Sequence, residues 1–327
     1  MKIGVHGAGS IGCFLGGRLI HAGHDVVLVG RMGDEIRAHG LTLTDFTGAS
    51  LAIKAERVRY ESDASALADR EAILVTVKSA ASEQAGREIG AHNHAAVVVS
   101  FQNGVGNADV LRAQLPSHEV LAGMVPFNVV RRGDGRFHNG TSGPLELERG
   151  APALEQALAS AGFGVEVHAD LKPVQWSKLL VNLNNALNAL AGIPLREQLA
   201  DRRYRLLMGA LVKEGIAAMR AAGMKPVKIG KLSPTLAPLA LSLPNFLFFR
   251  AAAAMVKIDP TARSSMWEDL ERHRHTEVEY LNGEIVRLGQ MHGVATPLNE
   301  RVRALIHEAE RAQRGSPKLS PDQITRT

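Results

Sequence analysis

A single cysteine, Cys13, stands in a chain of 327 residues, so no intramolecular disulfide can form, and the composition suits a reducing compartment. Also missing is an unbroken run of the ~20 apolar residues that a membrane helix requires. The most apolar stretch, residues 232–256, is interrupted by Pro234, Pro238, Pro244 and Arg250, and reads instead as paired core helices. No secretory apolar segment precedes MKIGVHGAG, which runs straight into a strand pattern. Charge of one sign is not concentrated anywhere. The net charge is +5 and the Lys and Arg are interspersed with acids, which argues against nucleic acid as a partner. There is no HExxH motif and no cysteine cluster, and His273 and His275 would diverge at i, i+2 on a helix, so no metal site is expected. These absences point to a cytoplasmic protein without a membrane or nucleic-acid partner.

What is present divides into two halves, as expected for a chain longer than one core usually serves. From residue 1 to 168, KIGVHGAG, DVVLVGR, AILVTVK, AAVVVSFQNG and EVLAGMVPFNVV read as strands between helix-length segments, the pattern of a parallel sheet covered on both faces. Asp134-Gly135 in VVRRGDGRFHNG fits a tight turn between antiparallel strands, and LELE at 145–148 reads as a further strand. From 169 to 312 apolar residues recur at helical spacing and an all-helical second domain is expected. The tail 313–327, with two prolines and no apolar periodicity, is expected to be disordered. No internal repeat is visible. Nothing in the sequence requires or excludes a homodimer through the helical half.

GAGSIG at residues 7–12 has the G-x-G-x-x-G spacing, follows a strand and opens a helix, the context of a Rossmann-type dinucleotide site. In that reading Gly7 permits the tight turn, Gly9 lets backbone approach a pyrophosphate, and Gly12 packs helix on strand. Ala8, Ser10 and Ile11 complete the turn, whose helix N-terminus faces the phosphates. At the end of the second strand, where an acid would hold a ribose 2′-hydroxyl, stands Arg31, which suits a 2′-phosphate and favours NADPH; Asp34 and Glu35 lie nearby.

WSKLLVNLNNALNALAG at 176–192 has apolar residues on most sides of a helix, yet carries a lysine and four asparagines. At about 100° per residue, Lys178, Asn182 and Asn185 fall within roughly 60° of one another and form one polar stripe. A buried lysine loses basicity, and such a cation can polarise and then protonate a carbonyl oxygen receiving hydride. Asn184 and Asn188 lie off the stripe and read as helix–helix polar contacts.

GAGSIG, TVKS, QNGVG, WSKLLVN, RSSMWEDL, HTEVEYLNG and GVATPLN occur in the order seen in ketopantoate reductases (2-dehydropantoate 2-reductases), and the chain resembles that family from residue 1 to about 305. The resemblance implies a Rossmann domain followed by a helical domain, with NADPH-dependent reduction of ketopantoate to pantoate on the route to pantothenate. It implies Lys178 as catalytic lysine and Glu277 as catalytic glutamate, the latter orienting the substrate hydroxyl. It also places Asn103 beside nicotinamide and substrate, Lys78 with the cofactor, and Asn182 and Ser265 on the substrate. The family's second helix asparagine falls on Ala186, with Asn185 one residue earlier to take the role; a further substrate-side asparagine falls on Leu195. Read as one helix, RHRHTEVEYLNGEIV would stand continuous with Ser265 and hold it about 18 Å from Glu277, too far for one small keto acid, so the helix must break or Ser265 must precede it. The alternatives are a reductase of another branched 2-oxo acid and a non-catalytic NADPH sensor.

Overall fold

A computed structural model describes residues 1–229, 233–252 and 262–326, which form two compact units, Met1–Leu171 and Lys172–Thr327. The first contains twelve strands: β1 Lys2–His6, β2 Asp25–Val29, β3 Leu41–Asp45, β4 Ser50–Ile53, β5 Arg59–Glu61, β6 Ala72–Val75, β7 Val97–Ser100, β8 Val120–Met124, β9 Val129–Gly133, β10 Arg136–Asn139, β11 Leu145–Glu148 and β12 Val165–His168. Eight of them build one sheet in the order β12-β11-β8-β7-β6-β1-β2-β5. Every pairing in it is parallel except β8 with β11. The near-continuous apolar runs of β1, β2, β6 and β7 follow from burial on both faces. Ile3, Val5, Leu28, Leu74 and Val99 enter one core. Val27, Val29, Ile73, Val75 and Val98 enter a second core, as a side-chain period of two demands.

The expected hairpin at Asp134-Gly135 is present, β9 and β10 pairing antiparallel, with Asp134 and Gly135 both at positive φ. It belongs to a second sheet, β4-β3-β10-β9. EVLAGMVPFNVV, read as one strand, is therefore two strands in two sheets, divided at Pro126, which has no N–H to offer a ladder. LELE is β11, antiparallel to β8 and parallel to β12.

Among the described residues the second unit is built of helices, the longest Arg202–Ala221 and Pro297–Ala312. No helix among the described residues is long and apolar enough to cross a membrane. The apolar region expected as core helices falls partly outside the described residues; its described helices, Ala237–Ser242 and Asn245–Ala252, lie at the surface. They bury Pro238, Leu241 and Phe248 but leave Leu239 and Phe246 67% and 72% exposed. What holds them is Arg205, fully buried, whose guanidinium donates to the carbonyls of Leu199, Leu241 and Leu243.

The tail differs most from expectation. Residues 313–326 are ordered against the helical unit: Ser316 Oγ donates to Ala189 O at 2.6 Å, Leu319 N to Leu190 O, and Tyr204 Oη to Leu319 O. A helix at Pro321–Thr325 follows, with a capping box between Ser320 and Gln323 and Ile324 fully buried. Pro321 is thus the first residue of a helix, where its missing N–H is harmless, and Ser-Pro-Asp-Gln is a helix start.

Candidate active site

In the first unit, β2, β1, β6 and β7 lie side by side and run parallel, so the residues that follow them emerge along one edge. In that order the edge carries Arg31, the turn Gly7–Gly12, Lys78 and Asn103. With strands ~4.8 Å apart the row spans roughly 14 Å. This is the carboxyl edge, where open α/β sheets bind ligands.

The turn fits a dinucleotide pyrophosphate on the test of its missing side chains. Gly7 has φ +93°, and a Cβ there would sit 2.5 Å from the backbone nitrogen of Val77. At Gly12 a Cβ would come within 2.6 Å of Thr76 Oγ1 and 2.9 Å of Val5 Cγ1, so helix and sheet meet backbone to side chain. Gly9 is the opposite case: its Cβ would meet only Gly7 O, at 3.8 Å, so the approach is open. Gly9 is also the N-cap of the helix Ser10–His21, which has no side-chain cap and no acid in its first turn. Its positive dipole end is therefore unopposed. Cys13 is buried beneath, its Sγ directed at Ala8 O (3.3 Å), and burial pushes the thiol up, out of the range of a reactive thiolate.

Arg31 is exposed. The nearby acids are committed elsewhere: Asp34 pairs with Arg37, and Glu35 pairs with Arg131 and accepts the Gly135 amide. The Arg131 guanidinium beside Glu35 holds its carboxyl below the usual range. Neither acid is thereby neutralised onto Arg31, whose guanidinium remains available to an anion.

Lys78 follows β6 and Asn103 follows β7, both exposed. Ser79 Oγ and Asn107 Nδ2 donate to Asn103 O at 3.0 and 2.7 Å, and Asn107 Oδ1 accepts from Ser82 Oγ. TVKS and QNGVG are thus tied together through Ser79 and Asn107, two residues the sequence reading passed over. The adjacent Ser and Asn in the motifs were the available signal.

In the second unit the opening helix is interrupted: Lys172–Asn182 and Asn184–Ala191 meet at Leu183. Lys178 and Asn182 lie on the first helix and Asn185 on the second, all half-buried. Burial lowers the Lys178 ammonium from its ordinary 10.5 to about 8, while the negative charge of Glu277 acts to raise it. The two residues, 99 positions apart, therefore interact. What brings Glu277 in is a break in the segment read as one helix. The helix Ser265–Glu271 ends at Arg272, His273 takes φ +52°, and Glu277 precedes a single 3-10 turn, Val278–Tyr280. Glu310 Oε1 accepts the Thr276 amide at 2.7 Å and fixes that turn.

Ser265 is exposed, at the first position of its helix; the capping residue is Ser264, whose Oγ accepts the Trp267 amide. Ser264 also donates to Asn185 O through Oγ (2.9 Å) and to Asn188 Oδ1 through its amide (2.8 Å). The start of this helix is thus bonded to the asparagine segment, and the break at His273 removes the continuous 18 Å rise between Ser265 and Glu277. Asn188 also donates to Ile193 O and Gln198 Oε1, and Asn184 accepts from Gln198 Nε2, the structural contacts expected of both. Leu195, half-buried, begins the helix Leu195–Ala200.

HTEVEYLNG and GVATPLN are joined directly. Asn282 Nδ2 donates to Asn299 Oδ1, and the Glu214 carboxylate accepts the amides of Leu298 and Asn299 and the Asn299 side chain. Glu214 caps a helix that lacks a side-chain cap of its own. Among the described residues one group, Glu146, Glu166 and His168, has metal-ligand spacing, but there the His168 ring and Glu146 bond each other at 2.5 Å.

Comparison with known proteins follows the same two units. The family profile of ketopantoate reductase PanE/ApbA matches residues 3–152, and that of its C-terminal part matches 170–310. A 2-dehydropantoate 2-reductase of Halobacterium salinarum is 29% identical over 322 residues, 95% of this chain and 99% of that protein. Among solved structures, a PanE/ApbA family ketopantoate reductase from Ralstonia eutropha superposes with a TM-score of 0.82 at 32% identity, covering 96% and 99% of the two chains. D-mandelate dehydrogenase with NADH and anilino(oxo)acetate shares the fold, with a TM-score of 0.80 at 22% identity, covering 96% and 99%.

Proposed function

The chain belongs to the ketopantoate reductase family, and on that footing we propose that it reduces 2-dehydropantoate to pantoate with NADPH, as a step towards pantothenate. The observation that carries this reading is the half-buried Lys178, its ammonium at about 8 and its charge facing Glu277. At pH 7 such a group is protonated about ten to one and still acidic enough to give the proton up.

NADPH, when bound, supplies hydride to C2 of the 2-oxo acid. The chain's residues do the rest. Lys178 Nζ donates a hydrogen bond to the C2 carbonyl oxygen, stabilises the charge that builds there, and transfers its proton to make the hydroxyl. Glu277 accepts a hydrogen bond from the substrate hydroxyl and keeps Lys178 charged between turnovers. Asn182 and Asn185 donate to and accept from the polar groups of the substrate, and Ser265 adds a contact to its carboxylate. On the sheet edge the turn Gly7–Gly12 carries the pyrophosphate, Arg31 the 2′-phosphate, and Lys78 and Asn103 the nicotinamide end. The reading extends to a cytoplasmic location.

A second reading, a reductase of another branched 2-oxo acid, is favoured by Leu195, apolar where the family has an asparagine. A sensor without turnover would have no use for a proton donor. The test is NADPH oxidation with ketopantoate beside a panel of branched and aromatic 2-oxo acids. Turnover with ketopantoate at least tenfold above the panel supports the first reading. Turnover confined to another keto acid moves the substrate and keeps the chemistry, and NADPH binding without any oxidation leaves the sensor.

A further inference from the structure

We propose that Tyr60 is a positioning residue that sets the choice of dinucleotide, by clamping the turn that presents Arg31. The proposal rests on Arg31 as the 2′-phosphate contact and adds what makes that contact selective. Tyr60 lies on β5, the strand beside β2, and is 4% exposed. Its hydroxyl donates to Ala8 O at 2.7 Å and accepts the Met32 amide at 3.2 Å. One oxygen atom thus bridges the glycine turn and the loop after β2. The amide before Arg31 is held from the same strand, Gly30 N donating to Glu61 O at 2.9 Å. Both peptide groups flanking the 30–32 turn are therefore bonded to consecutive residues of β5. The fit is close: a Cβ at Gly30 would lie 2.5 Å from the Tyr60 oxygen. Burial pushes the phenol up to about 12, so it stays neutral and keeps its proton for Ala8.

The consequence is selective because the glycine turn has other anchors. Gly7 N and Ala8 N both donate to Val29 O, and Ala8 O also receives Cys13 Sγ. Without the Tyr60 hydroxyl the pyrophosphate turn keeps these bonds, whereas Met32 N loses its partner and the Arg31 segment keeps Gly30 N on Glu61 O and Ile36 N on Met32 O. A guanidinium on a long side chain discriminates a phosphate only if its backbone is fixed, since otherwise binding must also order the loop. An NADP-type ligand should lose affinity and an NAD-type ligand should not.

The test titrates adenosine 2′,5′-bisphosphate and 5′-AMP calorimetrically into the wild type, Tyr60→Phe, Arg31→Ala and the double variant. Each pair of ligands is measured on one preparation, so their ratio does not depend on the folded fraction. Arg31→Ala should remove about tenfold or more of the preference for the bisphosphate, and Tyr60→Phe about three- to tenfold. The double variant should match Arg31→Ala. If Tyr60→Phe weakens both ligands alike, or neither, its role is merely structural: the inference is overturned while the Arg31 reading stands. If Arg31→Ala leaves the preference intact, the Arg31 reading falls and the inference with it. Should Tyr60→Phe not fold, Gly30→Ala brings a Cβ within 2.5 Å of the same oxygen and within 3.2 Å of Ala8 N, so binding of both ligands should weaken and the bisphosphate preference should still fall; an unchanged preference overturns the inference.

Discussion

In the proposed function the glycine turn of the first unit and the lysine cluster of the second act through different parts of the chain. The turn would act through backbone, by a residue at positive φ, an uncapped helix end and glycines whose missing Cβ atoms are the feature, with the side chains of Arg31, Lys78 and Asn103 beside it. The proposed site of the helical unit rests on side chains from segments about a hundred residues apart, Lys178 and Glu277, the second of which follows a break after Glu271. Backbone function is local and tolerates no added atoms. Side-chain function is non-local and tolerates neighbours changing, but not the group itself. Substitutions in the two regions should therefore fail in opposite ways.

The largest effect is expected at Lys178. Lys178→Met should lower kcat with 2-oxo acid by about a thousandfold, within the 10²–10⁴ range of a positioned acid, while leaving NADPH affinity unchanged within threefold. The same variant should melt at higher temperature. A lysine whose folded pKa is lowered holds its proton less tightly folded than unfolded, so it destabilises the fold at pH 7, and that penalty disappears as pH rises through the two values. From 10.5 to about 8 the penalty is at most roughly 3 kcal/mol. In the wild type, reduction should fall about tenfold per pH unit above about 8, as the ammonium is lost. A kcat unchanged in Lys178→Met would break the comparison at its strongest point.

The counterpart is Gly7→Ala. The added methyl must displace the Val77 backbone at a residue already at φ +93°, so the turn moves. NADPH affinity should fall about tenfold or more and kcat at saturating NADPH should hold within twofold, measured as separate KM and kcat values. A variant that loses kcat and keeps its KM would show that the turn acts on the chemistry and erase the distinction.

The same contrast explains what could be read in advance. GAGSIG, Arg31 and the apolar strands were legible because each depends on residues within a few positions and on a period of two. Lys178 was legible as an anomaly, a charge inside an apolar helix. The breaks were not. Leu183 has no breaker, and His273 is a non-glycine residue at positive φ, held there by Arg274 N donating to Asp269 O and by Glu310 reaching Thr276 from another helix. The tail departs from expectation for a different reason. Two prolines without apolar periodicity suggest disorder, but Pro321 stands at the first helical position and Ser320-Pro321-Asp322-Gln323 carries its own capping signal. The pairing of HTEVEYLNG with GVATPLN marked the family; its cause, Asn282 bonding Asn299, required the fold.

The smallest expected effect separates two neighbouring serines. Ser264 is buried and makes three hydrogen bonds that cap its helix and fasten it to Asn185 and Asn188. Ser265 is exposed and matches the family's substrate contact by position. Ser264→Ala should cost about 1 kcal/mol as a lost cap, seen as a drop in melting temperature of several degrees, with KM for the keto acid little changed. Ser265→Ala should leave the melting temperature alone and raise that KM about threefold, the loss of one exposed hydrogen bond to a carboxylate. If Ser264→Ala instead carries the KM effect while the fold stays intact, the position-by-position correspondence slips by one residue here. The polar group facing the substrate would then belong to the helix cap itself.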